Sequence, residues 1–322
     1  MNSVRNEILR IKNYDISIGE LQMMLRDGDF DLVPSFKEGL KWNIREKSKY
    51  VESALLQLPL NNILFEEDNV GKFIIVDGAD RISALIDYMA DTYELSNLPI
   101  LSKLEGKAYS DLEYSDQLRL KRTVLSCDII SNDSNQLLKC EYLKRINLSN
   151  PSFLPQQARN FAFPKSHSLI KNEMENLIHH FNYSIIERSH GSRRHISINR
   201  AEQFFLCMIL IQVIYYNGYI FNNTYLGNAL DQLCYEIENK KVDVDVSFLF
   251  DNIQKVMDYL GFDSINLVYR SFSSMSKYKK NEISMNDFLC LFYEVSHGLK
   301  VNTLKFNFFN EDIRMSKLSW YI

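Results

Sequence analysis

The 322-residue chain has no CxxC pair, no Walker-type glycine-rich phosphate loop and no net positive charge. Each absence narrows the field. The five cysteines, Cys127, Cys140, Cys207, Cys234 and Cys290, are scattered. That argues against a zinc site and fits thiols kept reduced in a cytoplasm. The net charge is −4, so no global basic field draws the chain to nucleic acid, and any such contact has to use a local patch. The first residues are polar and charged, with no apolar signal core, so the expected location is cytoplasmic. The longest apolar run, Phe204 to Tyr216, is broken by Gln212 and is too short to span a bilayer. It reads as a buried helix. The histidines are His167, His179, His180, His190, His195 and His297. His179 and His180 are adjacent and face different ways on a helix, so they make a poor metal pair. No Ser/His/Asp set is supported by spacing. What remains is globular: 46% apolar and 24% charged residues, enough chain for one large domain or two ordinary ones.

The stretch Phe73-Ile74-Ile75-Val76-Asp77-Gly78-Ala79-Asp80-Arg81 organises the rest. Four apolar, mostly β-branched residues read as a buried strand. Asp77-Gly78 breaks it. From Ala79 onward, Ile82, Leu85, Ile86 and Met89 recur at helical spacing. The first amides of such a helix lack internal partners and carry partial positive charge, which makes the turn a natural anion site. Arg81, one turn in, offers a guanidinium fork for a phosphate. The plainer alternative is a scaffold junction, with Asp77 as an N-cap and Asp80 favouring the helix dipole.

Along the chain, the start to about Tyr14 is charged and helix-prone. Ser17-Ile18-Gly19-Glu20 has capping-box spacing before a helix that stops near Asp27-Gly28. Val33 to Trp42 reads as irregular or edge strand, because Pro34 cannot donate. Val51, Ala54, Leu55 and Leu58 mark a helix that Pro59 ends. Asn62 to Phe65 and Phe73 to Val76 read as strands joined by a polar turn. Pro99 to Leu104 and Val124 to Ile130 are further strand candidates. A helix follows from about Ser134, then the loop Asn147 to Pro151, then a helix opened by Pro155. Beyond about Lys165 the apolar spacing is helical nearly to the end, with helices expected near 168–182, 199–217, 224–239, 246–260 and 285–296. The expected fold class is therefore α+β: residues 1–165 with a small mixed sheet, residues 166–322 all helical. Pro/Gly-rich linker chemistry is absent at the seam. The aromatic last two dozen residues, among them Phe306, Phe308, Phe309, Trp320 and Tyr321, are expected to dock on the helices or on a partner.

With these segments in order, the chain resembles the ParB/sulfiredoxin-like domain with a DGQQR motif. That domain forms the N-terminus of GmrSD-type modification-dependent restriction enzymes and SspE-type phage-defence proteins. The family's P-x-F-Q-R-x-x-x-W is matched by Pro34-Ser35-Phe36-Lys37-Glu38-Gly39-Leu40-Lys41-Trp42. Its DGQQR segment is matched by Asp77-Gly78-Ala79-Asp80-Arg81. Its Arg-x-Asn and Gln/Pro-Glu-Leu-Arg-Asn steps are matched by Arg145-Ile146-Asn147 and Gln156-Gln157-Ala158-Arg159-Asn160, and Arg200-Ala201-Glu202 also fits. The likeness runs from about residue 14 to about 297. It implies a nucleotide or nucleic-acid phosphate site built from Lys37, Asp77, Gly78, Ala79, Asp80, Arg81, Asn147, Arg159 and Asn160, with Asp77 and Arg81 carrying any catalysis.

The departures concern charge. Lys37-Glu38 stands where the family has Gln-Arg, and Ala79-Asp80 where it has Gln-Gln. A carboxylate about 4 Å from a phosphate oxygen repels it by roughly 4 kcal/mol at an effective dielectric of about 20. Catalysis has then decayed, or Asp77, Asp80 and Glu38 hold a Mg²⁺ that restores the balance. The six histidines do not offer the His/Asp/Asn set of the C-terminal HNH nuclease that full-length restriction members carry, so no nuclease is expected within these residues. The resemblance thus implies a defence-system component that binds a nucleotide or DNA phosphate, acts with a separate effector protein and has no membrane partner. The alternative it implies is an NTPase, cleaving ATP, GTP or CTP with Mg²⁺, that gates a partner nuclease. Two basic clusters, one with Arg193 and Arg194, the other with Lys277 and Lys279 around Tyr278, are candidate nucleic-acid contacts against the alternative of solvated loops. Trp42 reads as a packing anchor.

Overall fold

The computed structural model describes residues 8–32, 36, 42–150, 153–181, 184–189, 192–195, 198–217, 226–261, 263–264, 266–270 and 282–296. The chain divides into two compact units, residues 1–138 and 139–322. The division falls inside a helix, upstream of the change in composition at Lys165.

The first unit is a five-stranded mixed sheet with helices. Its strands are β1 (Ile11–Ser17), β2 (Phe30–Asp31), β3 (Ile63–Glu67), β4 (Phe73–Asp77) and β5 (Val124–Ser131), in the order β1-β5-β3-β4-β2. β1 runs antiparallel to β5 and β3 antiparallel to β4, while β3–β5 and β2–β4 are parallel. Residues 1–7 lie outside the described residues, and from Ile11 to Tyr14 the helix-prone reading of the start is corrected by β1. Its side chains are mostly exposed, so no apolar alternation marks it, and pairing with β5 over seven positions decides the conformation. The strand expected over Pro99–Leu104 is instead a bend followed by a 3-10 turn at Ser102–Leu104. Buried Glu52 accepts the amides of Ile100 and Leu101 there, at 2.9 and 2.6 Å, in place of a neighbouring strand.

Helices α1 (Ile18–Asp27), α2 (Ile44–Leu55), α3 (Ala79–Met89) and α4 (Tyr114–Arg122) complete this unit. α1 starts and stops as its sequence dictates. Ser17 accepts the Glu20 amide, and Gly28, at φ 83°, ends it in the left-handed region. Ile16, Leu21, Phe30, Val51, Leu55, Phe65, Ile75, Ile82 and Leu85 are all within 3% of full burial and form one core. Each large side chain of this kind contributes about 1.5–3 kcal/mol. α2 is locked to α3 by Lys47, whose ammonium donates to Ser83 Oγ at 2.8 Å and Asp87 Oδ2 at 2.6 Å.

The second unit holds α5 (Gln136–Ile146), α6 (Pro155–Ala162), α7 (Pro164–Phe181), α8 (Ile198–Asn217), α9 (Leu226–Glu238), α10 (Val246–Leu260) and α11 (Met285–Ser296), with the first residues of α5 falling in the first unit. It is not all helical. β6 (Ser184–Ser189), β7 (Ser192–His195), β8 (Asn266–Arg270) and β9 (Glu282–Ser284) make a second sheet in the order β7-β6-β8-β9. These strands are short, from three to six residues. β6 and β8 pair in parallel across some 80 intervening residues, from Ser184↔Asn266 to Arg188↔Arg270. Their apolar runs are only two or three residues long, as in Ile185-Ile186 and Leu267-Val268-Tyr269, and their pairing is long-range, which is why spacing alone reads the region as helices. No helix among the described residues is long and apolar enough to cross a membrane.

Candidate functional site

The β4–α3 turn is built by the sheet. β4 brings Asp77 opposite Leu64 of β3. Gly78 then takes φ 103°, a left-handed conformation that only glycine adopts cheaply, and serves as the N-cap of α3. No side chain caps this helix. Asp77 is therefore not the cap. It is the last residue of its strand, and its carboxylate turns to the first turn of α3, where Oδ2 accepts from Arg81 Nη2 at 2.6 Å. The other arm of Arg81, Nη1, donates to the Asn62 carbonyl at 2.7 Å.

Gly78 is needed for a second reason. A Cβ there would lie 2.7 Å from Ile63 Cδ1 and 3.3 Å from Arg81 Nε and Nη2. The guanidinium is thus laid directly against the start of α3. Its side chain is 12% exposed and that of Asp77 is 32% exposed. The turn has a rim open to solvent, and its cation is engaged by two partners. Three of the five guanidinium N–H donors are left for other acceptors.

Asp80 lies in the first turn of α3. Its Oδ1 accepts the Trp42 amide at 2.9 Å, tying the segment before α2 to the first turn of α3. Trp42 is the packing residue the sequence suggests: its indole meets Tyr50 edge-on at 5.4 Å. The Tyr50 hydroxyl is buried without a hydrogen-bond partner, and burial pushes its pKa up to about 12, with Arg81 the largest influence in the opposite direction. It is a neutral phenol at physiological pH. Lys37 and Glu38 lie outside the described residues.

The residues fit Mg²⁺ poorly as placed. Asp77 Oδ2 is already in contact with a guanidinium, which repels a divalent cation, and one oxygen of Asp80 is committed to a backbone amide. Among the described residues no group of three or more His, Cys, Asp or Glu side chains is arranged to hold a metal.

Asn147, Arg159 and Asn160 belong to the second unit, and each has partners there. Arg159 is 1% exposed. Its Nε donates to Asp231 Oδ1 at 2.8 Å, Nη1 to Gln156 Oε1 at 3.2 Å and Nη2 to the Gly227 carbonyl at 3.3 Å. Lys144 holds the other oxygen of Asp231. Burial alone would raise the Asp231 pKa, but Arg159 and Lys144 outweigh it and hold the carboxyl below its ordinary value. Asn160 Nδ2 donates to Glu202 Oε2 at 2.6 Å and Asn199 Oδ1 at 3.1 Å, while its Oδ1 accepts from Gln156. Glu202 also meets His167 Nε2 at 3.2 Å. Asn147 bonds back to the Leu143 carbonyl of its own helix. Arg159 and Asn160 therefore join α6 to α9 and α8.

The thiols nearby are inert. Burial pushes Cys207 and Cys234 up to about 12 and raises Cys140 further. Of the network partners, Lys144 and Asp231 belong to no motif in the sequence. Asp231, Glu236 and Glu238 are buried acids on the otherwise apolar inner faces of α9, and that pattern is the signal available for them. Glu238 accepts the Lys165 and Ser166 amides at the start of α7. Of the basic clusters, Arg193 and Arg194 lie on β7 opposite Arg188 and Glu187, and Lys277 and Lys279 lie outside the described residues.

Comparison of the chain with family models, curated proteins and solved structures returns no match.

Proposed function

We propose that this chain is a non-catalytic subunit of a bacterial restriction-like or anti-phage system, and that its β4–α3 turn binds the phosphate of a nucleotide or nucleic acid. The observation that carries the reading is the start of α3: a glycine N-cap with no side-chain cap and the Arg81 guanidinium laid against it. Backbone amides, helix dipole and guanidinium then act on one oxyanion. The defence setting rests on the resemblance of the motif order to the DGQQR-motif family.

The same geometry disfavours hydrolysis. Asp77 is spent on Arg81, so it is not free to act as a base or to hold a metal. Ligand binding at this turn uses the guanidinium N–H donors that Asp77 and the Asn62 carbonyl leave open, so the Asp77 pair stays in place. Effector chemistry falls to another polypeptide.

The test is equilibrium binding of ATP, GTP, CTP and a short DNA duplex to the purified chain, with phosphate release followed in parallel. Binding without turnover, weakened in Arg81→Ala and less so in Arg81→Lys, is the expected result. Turnover that needs Asp77 would replace this reading with the NTPase alternative. Absence of any phosphate ligand would end both.

A further inference from the structure

Helices α7 and α10 both pack on α8. Between them lies an open groove of about 800 Å³. Two aromatic rings, His180 and Phe250, are among its lining side chains. At the end of α7 the His180 ring stands 5.5 Å from that of Phe250 on α10, and buried Phe181 meets the same Phe250 ring at 5.5 Å. Its walls are acidic. Glu173 contributes from α7 and Asp251 from α10, beside His179 and His180 of α7, and no lysine or arginine is among the described residues that line it. Asn176 donates to Glu173 Oε2 at 3.1 Å, which orients the carboxylate and leaves its other oxygen for a guest.

The helix ends add to this field. The negative end of α7 is at the groove. The positive end of α10 is neutralised by its N-cap, Asp245, whose carboxylate accepts from Ser247 Oγ at 2.6 Å and the Phe248 amide at 3.1 Å. We propose that this groove docks a lysine- or arginine-bearing segment of a partner protein. A cation on a long aliphatic stem lies over the Phe250 ring and reaches a carboxylate on either wall. The open shape suits an extended segment better than an enclosed small molecule. This surface is separate from the β4–α3 turn and does not depend on the phosphate reading.

The test uses the full chain and fluorescently labelled twelve-residue peptides, one rich in lysine and arginine, one rich in glutamate, and measures anisotropy at low and moderate salt. The basic peptide should bind and the acidic one should not. The double variant Glu173→Lys/Asp251→Lys should lose about tenfold or more in affinity, in line with charge reversal at an interface. Phe250→Ala should lose less. Glu175→Lys, on another face of α7, should bind as the parent does, and thermal melts check that each variant is folded. Equal loss in Glu175→Lys and in the groove variant would reveal a diffuse acidic field and overturn the proposal. So would unchanged binding in the folded double variant, or equal binding of both peptides. If the double variant fails to fold, Phe250→Ala and Asp251→Asn carry the same test, and parent-like affinity in both overturns it.

Discussion

Arg81 and Arg159 are each paired with an aspartate, and their surroundings give the two pairs different work. Arg159 is sealed in the helical unit, with Asp231, Gln156 and the Gly227 carbonyl as its acceptors and Lys144 sharing its carboxylate. Arg81 sits at the rim of a turn, with one half-exposed carboxylate and one carbonyl. Removing a partner from the first leaves an uncompensated buried charge. Removing a partner from the second lets water replace it. A saturated, buried arginine is part of the scaffold, and a partly satisfied one at a helix start is where a ligand can enter. The motif likeness puts both in one site; their geometry separates their roles.

The comparison breaks most sharply at Asp231. Asp231→Ala leaves Arg159 and Lys144 facing each other without a counter-ion and should cost about 3–5 kcal/mol. Urea unfolding reads this directly, and a loss under about 1 kcal/mol would mean that the network is not structural. Acid probes the same pair. The Asp231 carboxyl titrates below its unfolded value of 3.8, so its contribution is present above that pH and is lost as pH falls through the folded pKa. Thermal melts should show a steeper acid loss in the parent than in Asp231→Asn.

Gly78→Ala should cost about 1–3 kcal/mol through its left-handed backbone alone, with the 2.7 Å approach to Ile63 Cδ1 adding to it. Gly28→Ala is the control. Gly28 is also left-handed but has nothing within 4 Å of a new Cβ. The excess of the first over the second measures the packing of Ile63 against the turn. The smallest effect is expected at Arg81 itself: Arg81→Ala should change stability by about 1 kcal/mol or less, because the ion pair is partly exposed and screened. A large loss there would move Arg81 into the scaffold class with Arg159.

Much of the helical framework was legible in the sequence. The expected 246–260 and 285–296 coincide with α10 and α11, because their apolar residues keep one face and Asp245 and Gly261 mark the ends of α10. The β4–α3 junction was equally plain, since four apolar residues followed by Asp-Gly leave few alternatives. β1 and the second sheet were not, because their strands are short or exposed and their pairing is long-range. The site was legible as a list of residue types and not as a set of contacts. Asp77 reads as a cap until Gly78 is seen to hold that position. Arg159 reads as a ligand group until Asp231, 72 residues away, is seen beside it. Partners at such separations leave no local mark on a single sequence.

The most direct test is to follow the backbone amide signals of Gly78, Ala79 and Asp80 by NMR in isotope-labelled chain as inorganic phosphate, and then a nucleotide, is titrated in. A saturable shift at these three amides, absent in Arg81→Ala while the Arg159 region stays still, is the result expected of a phosphate-binding turn. Unmoved signals at the turn at saturating ligand, or shifts confined to the Arg159 network, would contradict it.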